Sequence, residues 1–400
     1  MYRKTYVEVN IDNLKNNVKN LVNYYNDYKY YFGVVKGNCY GHGIKYVVNE
    51  IIESGINYLA VSSLEEALEI RNFNKEIPIL ILEPIDLEYL DICVQNNITV
   101  TIHDYSYAKE LINKSIEGNL KIHLKIDSGM NRLGFKDKDE LKDIYLKLKD
   151  KNNIKIEGIF THFATLGIND KEWDKQLEKF KDITSKINIK EIPIVHLYKS
   201  ASFINHPKLN FDNGIRMGIV MYGYYTKPIY SNKGVKNKLR KIKREFYKKR
   251  NKISNTNLEL PIEIKPAFKM YTQFLQIKKV KKGEFVGYGA TYKAKEDITI
   301  GIMAAGYDDG IFRKSKGRYV TINNKRYQII GDVGMGMTAV KIDDTVSIKD
   351  KITLIGDLTP IREVAKHNET TIYETMCNIG KQIPRVYIKN KEIKYIEEGK

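Results

Sequence analysis

A lysine ends a short apolar run in "YFGVVKGNCYGHG", residues 31–43, and Gly37, Gly41 and Gly43 follow within seven positions. An amine pressed against apolar surroundings is desolvated, which lowers its pKa and frees its lone pair as a nucleophile. The chemistry open to Lys36 is a Schiff base with a carbonyl, either of the substrate or of pyridoxal phosphate. Other reactive side chains end or follow similar runs: Arg132 in "KIDSGMNRLGF", His162 in "THFAT", Ser200 in "HLYKSAS" and Arg216 in "GIRMGIVMYG". Singly, each is an ordinary surface or packing residue. A phosphate needs backbone N–H groups, small residues and hydroxyls. Tyr40, Ser200 and "MGIVMYG" (217–223) supply them, which favours the cofactor's carbonyl.

One rim can collect these residues only if the runs before them are parallel strands. Strand-like runs fall at 31–36, 57–62, 77–82, 98–103, 121–127, 154–161, 193–197 and 214–223, with amphipathic stretches between them. "SSLEEALEIR" (62–71) reads as one such helix, with a serine positioned to cap it. Eight uninterrupted βα units predict a TIM-like (β/α)8 barrel, whose active site gathers at the C-terminal ends of the strands. Beyond residue 260, strand-like runs such as "FLQIKKV", "ITIGIMAAGY", "RYVTINNKRYQIIGDV" and "DKITLIG" follow one another through short turns. The expected organisation is a barrel over 10–228, a basic insertion or linker over 229–259 and a mostly-β domain over 260–400. Residues 1–9 are expected to pair with that last domain.

Composition narrows the function classes. The 400 residues and 42% hydrophobic content suit two globular cores. No run is long enough to span a membrane and the N-terminus has no h-region, so a cytoplasmic protein is expected. Cys39, Cys93 and Cys377 are too few and too scattered for a disulfide framework or a zinc site, and no metal is expected. The net charge of +18 could suggest nucleic acid, but residues 230–256 alone carry +10 of it. No nucleic-acid partner is therefore expected. Val235, Leu239, Ile242 and Phe246 could line a short amphipathic helix there. Its main reading is a solvated helix; an acidic partner or an anionic membrane surface is the alternative.

The lysine motif resembles that of the alanine racemases, pyridoxal-phosphate enzymes of fold type III. "KIDSGMNRLGF", "THFAT", "IRMGIVMYG", "VGYGATY" (286–292), "GYDDG" (306–310) and "YETMCNIGKQIPR" (373–385) follow in that family's order and at about its spacing. The resemblance implies an amino-acid racemase that supplies D-alanine for peptidoglycan, acting as a homodimer with shared active sites. It implies that Lys36 carries the cofactor and acts as one acid/base, with Tyr288 of the partner subunit as the other. Arg216 would face the pyridine nitrogen. His162 would pack by the ring and link Arg216 to Tyr288. Tyr40, Ser200, Gly218, Ile219 and Tyr373 would hold the phosphate. Arg132 and the backbone of Met335 would meet the substrate carboxylate. Lys125 matches a lysine that many members carbamylate.

Two departures bear on specificity. Gly334 and Gly336 flank Met335 where the family has cysteine and aspartate, which would widen the substrate end and remove a negative charge. Serine, lysine or ornithine thus join alanine as candidate substrates. Lys199 stands where the family has an asparagine before the phosphate serine. A protein that binds pyridoxal phosphate without catalysis is the reading from another class.

Overall fold

Strands buried on both faces are filled with valine, isoleucine and leucine, because no side of them meets water. The computed structural model, which describes residues 1–165, 171–225, 239, 242, 243, 246 and 260–399, bears this out. After an opening strand, β1 (Tyr6–Asn10), come β2 (Tyr30–Val34), β3 (Tyr58–Val61), β4 (Ile79–Ile81), β5 (Ile98–Ile102), β6 (Leu120–Lys125), β7 (Ile154–Phe160), β8 (Ile194–His196), β9 (Tyr198–Lys199) and β10 (Gly214–Met217). From β2 to β8 each strand pairs in parallel with the next. The β8 strand continues past Leu197 as β9, which pairs β10, and β10 pairs β2. That order makes a nearly closed barrel of eight staves.

Two local expectations need correcting. The run 214–223 is a strand only to Met217. Beyond it, the N–H groups of Met221, Tyr222 and Gly223 bond back to the carbonyls of Gly218, Ile219 and Val220, forming consecutive turns. Ile219 to Tyr222 are buried there, so their apolar character reports burial rather than extension. Ser63 occupies the cap position of helix Leu64–Arg71 but its hydroxyl makes no cap bond. Glu66 reaches back instead to the N–H of Ser62, at 2.8 Å.

The chain forms two compact units. One holds Lys15–Lys36 and Val48–Lys265; the other holds Met1–Leu14, Gly37–Val47 and Pro266–Lys400. The second is built on a ten-stranded sheet. In it β1 pairs antiparallel with β11 (Phe268–Thr272) and parallel with strand Arg385–Lys389. Asn323 and Asn324, at φ 47° and 61°, make the tight turn between strands Tyr319–Ile322 and Lys325–Ile330. Val280, Ile298, Ile300, Ile330 and Ala339 form part of its core. The basic stretch 230–256 lies outside the described residues except for Leu239, Ile242, Lys243 and Phe246, which are helical and exposed. Among the described residues no helix is long and apolar enough to cross a membrane.

Candidate active site

In the barrel unit, the candidate residues stand on consecutive strands. Lys125 ends β6, His162 follows β7, Lys199 ends β9, Ser200 follows it, and Arg216 lies in β10. Lys36 follows β2, the neighbour of β10, in which Phe32 is level with Arg216. Arg132 comes from the loop after β6. Its shape is fixed by Asp127, whose Oδ1 accepts the N–H groups of Gly129 and Asn131, and by a return bridge between Ile126 and Phe135.

Arg216 is buried and its guanidinium is almost fully engaged. One terminal nitrogen, Nη1, donates to His196 Nδ1 at 2.8 Å and to the His196 carbonyl. The other, Nη2, donates to the carbonyls of Thr161 (2.6 Å) and Leu197 (3.0 Å). An arginine has five N–H donors and accepts nothing. Those four bonds leave Nε–H alone without an acceptor among the described residues. Burial draws the Arg216 pKa down to about 10, so the group remains a cation at neutral pH. The imidazole bonded to it is that of His196; His162 makes no hydrogen bond to it. Burial and then Arg216, Lys199, Lys125 and Arg132 hold the His162 pKa well below the usual value, so its ring is neutral.

The turn after β10 presents a cradle. Gly218 N–H is bonded to Ser200 Oγ at 3.0 Å, while the N–H groups of Ile219 and Val220 find no acceptor among the described residues. Tyr222 ties the turn to the strand that leads into Lys36, donating to the Val34 carbonyl at 3.0 Å. Positive charge collects nearby. Lys125 is buried over the Phe160 ring at 4.7 Å, and the Arg216 guanidinium lies 5.5 Å from the same ring. Burial, then Arg216 and Arg132, hold the Lys125 amine well below its usual pKa. Lys199 is drawn down to about 8 by burial, then by Arg216 and Arg132. Asp212 is the carboxylate acting on Arg216, and burial pushes it up to about 8, so it contributes little negative charge. Arg216, Lys199 and the free N–H groups fit a phosphate and a carboxylate.

The other unit carries Tyr40, Tyr288, Met335 and Tyr373. Directly after Lys36, residues Gly37 to Tyr40 wind in the left-handed sense, at φ 61°, 53°, 54° and 51°. Three of them carry side chains, each strained by roughly 1–2 kcal/mol in that region. The turn is closed by Gly41 N–H on the Gly37 carbonyl and by Ile44 N–H on Asn38 Oδ1, both at 2.9 Å. A Cβ at Gly41 would lie 2.4 Å from the Met376 carbonyl, which accounts for the glycine. The Tyr40 and Tyr373 rings are 6.1 Å apart. Tyr288 sits between the short strands Phe285–Val286 and Tyr292–Lys293 and is 71% exposed. The Met335 carbonyl accepts from Asp308 N–H at 2.9 Å, and its own N–H has no acceptor among the described residues. A Cβ at Gly334 would lie 3.5 Å from the Tyr288 ring.

Residues 9–226 match the alanine racemase N-terminal domain and residues 267–387 its C-terminal domain. The chain belongs to the alanine racemase family. It is 32% identical to alanine racemase 1 of Bacillus subtilis strain 168, over 98% of this chain and 95% of that protein. The crystal structure of alanine racemase from Bacillus anthracis with bound L-Ala-P has a TM-score of 0.86 at 31% identity, covering 100% of this chain and 98% of that one. Alanine racemase of Clostridium difficile 630 matches at the same TM-score of 0.86 and 31% identity, covering 100% and 99%.

Against that family pattern, Lys199 in place of asparagine has a measurable consequence. Its ordinary pKa of 10.5 falls to about 8 in the folded chain. Between those values the unfolded chain binds a proton that the folded chain does not, so this group makes stability rise with pH. Below about pH 8 both states are protonated and the folded state bears the full desolvation cost, at most about 3 kcal/mol. Lys199→Asn should therefore stabilise the cofactor-free protein at pH 7, and its advantage should shrink between pH 8 and 10.5. Urea unfolding of both proteins across that range checks this. An advantage independent of pH would show that the amine is not desolvated.

Proposed function

We propose that the chain is a pyridoxal-phosphate-dependent racemase that interconverts L-alanine and D-alanine. The observation that carries this is the single uncommitted N–H of Arg216, on the strand beside the one leading into Lys36. A buried cation with one donor to spare suits a ring nitrogen that accepts and bears no proton. The Ser200 hydroxyl and the Ile219 N–H, beside side-chain-free Gly218, suit the cofactor's phosphate.

Pyridoxal phosphate, when bound, supplies a carbonyl for the Lys36 amine and an electron-withdrawing ring conjugated to the substrate's Cα. The chain's own groups do the rest. Arg216, as donor, keeps the ring nitrogen unprotonated and the ring a moderate electron sink, which suits moving one proton and disfavours decarboxylation and transamination. Arg132 holds the substrate carboxylate. Lys36 moves a proton at one face of Cα and Tyr288 at the other. His162, neutral, packs by the ring. The buried Lys125 amine, its pKa lowered by burial and then by Arg216 and Arg132, would react in its neutral form with carbon dioxide to give a carbamate and a proton; the new carboxylate would orient Arg132.

Tyr288 is supplied by a second copy of the chain. Its exposure, with that of Phe285, Met335 and Met337, supports a surface covered in a homodimer. The test is Cα proton exchange with pyridoxal phosphate in heavy water, with alanine, serine, lysine and ornithine offered separately. NMR follows loss of the α-proton and a chiral assay follows inversion. Exchange with inversion for alanine is expected. Preference for another amino acid would keep the mechanism and overturn the substrate. Cofactor binding without exchange would overturn the enzyme.

A further inference from the structure

Arg216 is also one end of a buried polar chain that crosses the barrel interior. His196 Nε2 lies 2.9 Å from His123 Nδ1. His123 Nε2 lies 3.4 Å from Glu157 Oε2. That carboxylate oxygen also accepts from Tyr58 at 2.6 Å and from Thr99 at 3.1 Å. The packing keeps both rings in place. His196 is stacked between Phe32 (4.4 Å) and Phe160 (4.7 Å). Gly158 makes room for His123: a Cβ there would lie 2.5 Å from the imidazole.

The protons in this chain have one consistent arrangement. Arginine only donates, so His196 Nδ1 must carry the lone pair that faces it. Its proton is then on Nε2, and it donates to His123. His123 Nδ1 must accept in turn, which puts its proton on Nε2, towards Glu157. Reversing either ring would set one N–H against another, a buried unsatisfied donor pair. Each imidazole must therefore be neutral. Burial lowers both pKa values, which agrees. At the far end, burial opposes the Glu157 charge, yet the nearby His123 ring and the bond from Tyr58 bring its carboxyl down to about 2. An anion thus anchors one end and a cation the other.

We propose that Glu157 is a positioning residue for Arg216: its charge faces the proton that the arginine leaves on His123 Nε2, and so holds His123, His196 and the guanidinium in place, with Nε–H as the only guanidinium donor left for a ligand among the described residues. The proposal rests on the reading that Arg216 faces the cofactor's ring nitrogen. Its first test does not need turnover. Two-bond proton–nitrogen NMR of the full-length holoenzyme, labelled in its histidines, should show His196 and His123 as neutral rings protonated on Nε2 from pH 6 to 8. A proton on Nδ1 of either ring, or an imidazolium at His123, would overturn the proposal whether or not the protein racemises alanine. Glu157→Gln keeps the acceptor for Tyr58 and removes the charge. It should loosen the hold on His123 and His196 without changing their tautomers, change the absorption band of the bound cofactor and lower kcat for alanine by about tenfold, the lower end of outer-shell effects known at metal sites, with KM little changed. A Glu157→Gln enzyme that loses stability but keeps its cofactor band and its kcat would reduce Glu157 to a packing role.

Discussion

Lys36→Ala is expected to lower alanine racemisation by at least ~10⁴-fold, the top of the range for a single proton-transfer group, because in the proposed mechanism the same amine also carries the cofactor. The side chain is partly buried at the end of the stave beside Arg216, and removing it leaves β2 and its pairing with β10 intact. The phosphate cradle is untouched too, since it depends on Ser200 and on the turn tied to Val34 by Tyr222. Pyridoxal phosphate should thus still bind, but only non-covalently. Borohydride treatment followed by mass spectrometry would separate the cases. The wild type should gain a pyridoxyl phosphate group fixed to Lys36, and the variant none. Retention of racemisation to within tenfold would remove Lys36 from the chemistry.

The residues that sequence could identify are those whose type is demanding on its own. A lysine at the end of a β-branched run and an arginine beside a glycine-rich turn stand out because strands buried on both faces otherwise exclude them. The staves were legible for the same reason: an apolar run in a parallel barrel needs no alternation. The turn 218–223 was misread by that logic, since burial and extension look alike in "GIVMYG". His123 and Glu157 were missed because they alternate with lysines in "LKIHLK" and "IKIEGIF", and His196 because it is a single polar residue ending its run. Only the register, which sets His123 level with Gly158 and Phe160 level with His196, shows that they lie on three adjacent staves. The left-handed turn after Lys36 was half visible. Its glycines and Asn38 announce positive φ, but Cys39 and Tyr40 do not. A polar residue at the centre of each of three neighbouring barrel strands, with a glycine beside one of them, is the signal that could have found the chain behind Arg216.

Tyr288→Phe should separate two quantities that usually fall together. Phenylalanine keeps the ring beside Gly334 and loses only a hydroxyl that has no partner among the described residues, so the fold should be unaffected. L- and D-alanine have equal free energy, so kcat/KM for racemisation must drop by the same factor in both directions whichever base is removed. A loss of about 10²–10⁴-fold is expected for a positioned proton-transfer group. Isotope exchange carries no such symmetry constraint. In heavy water, the enantiomer whose α-proton faces Lys36 should continue to take up deuterium without inverting, because Lys36 can return a deuteron to the face it took the proton from. The other enantiomer depends on Tyr288 and should hardly exchange. The chirality and deuterium content of recovered alanine, measured separately for each starting enantiomer, would show this split. Equal exchange from both would mean that one residue serves both faces. Equal loss from both would place Tyr288 in binding the substrate rather than in moving its proton.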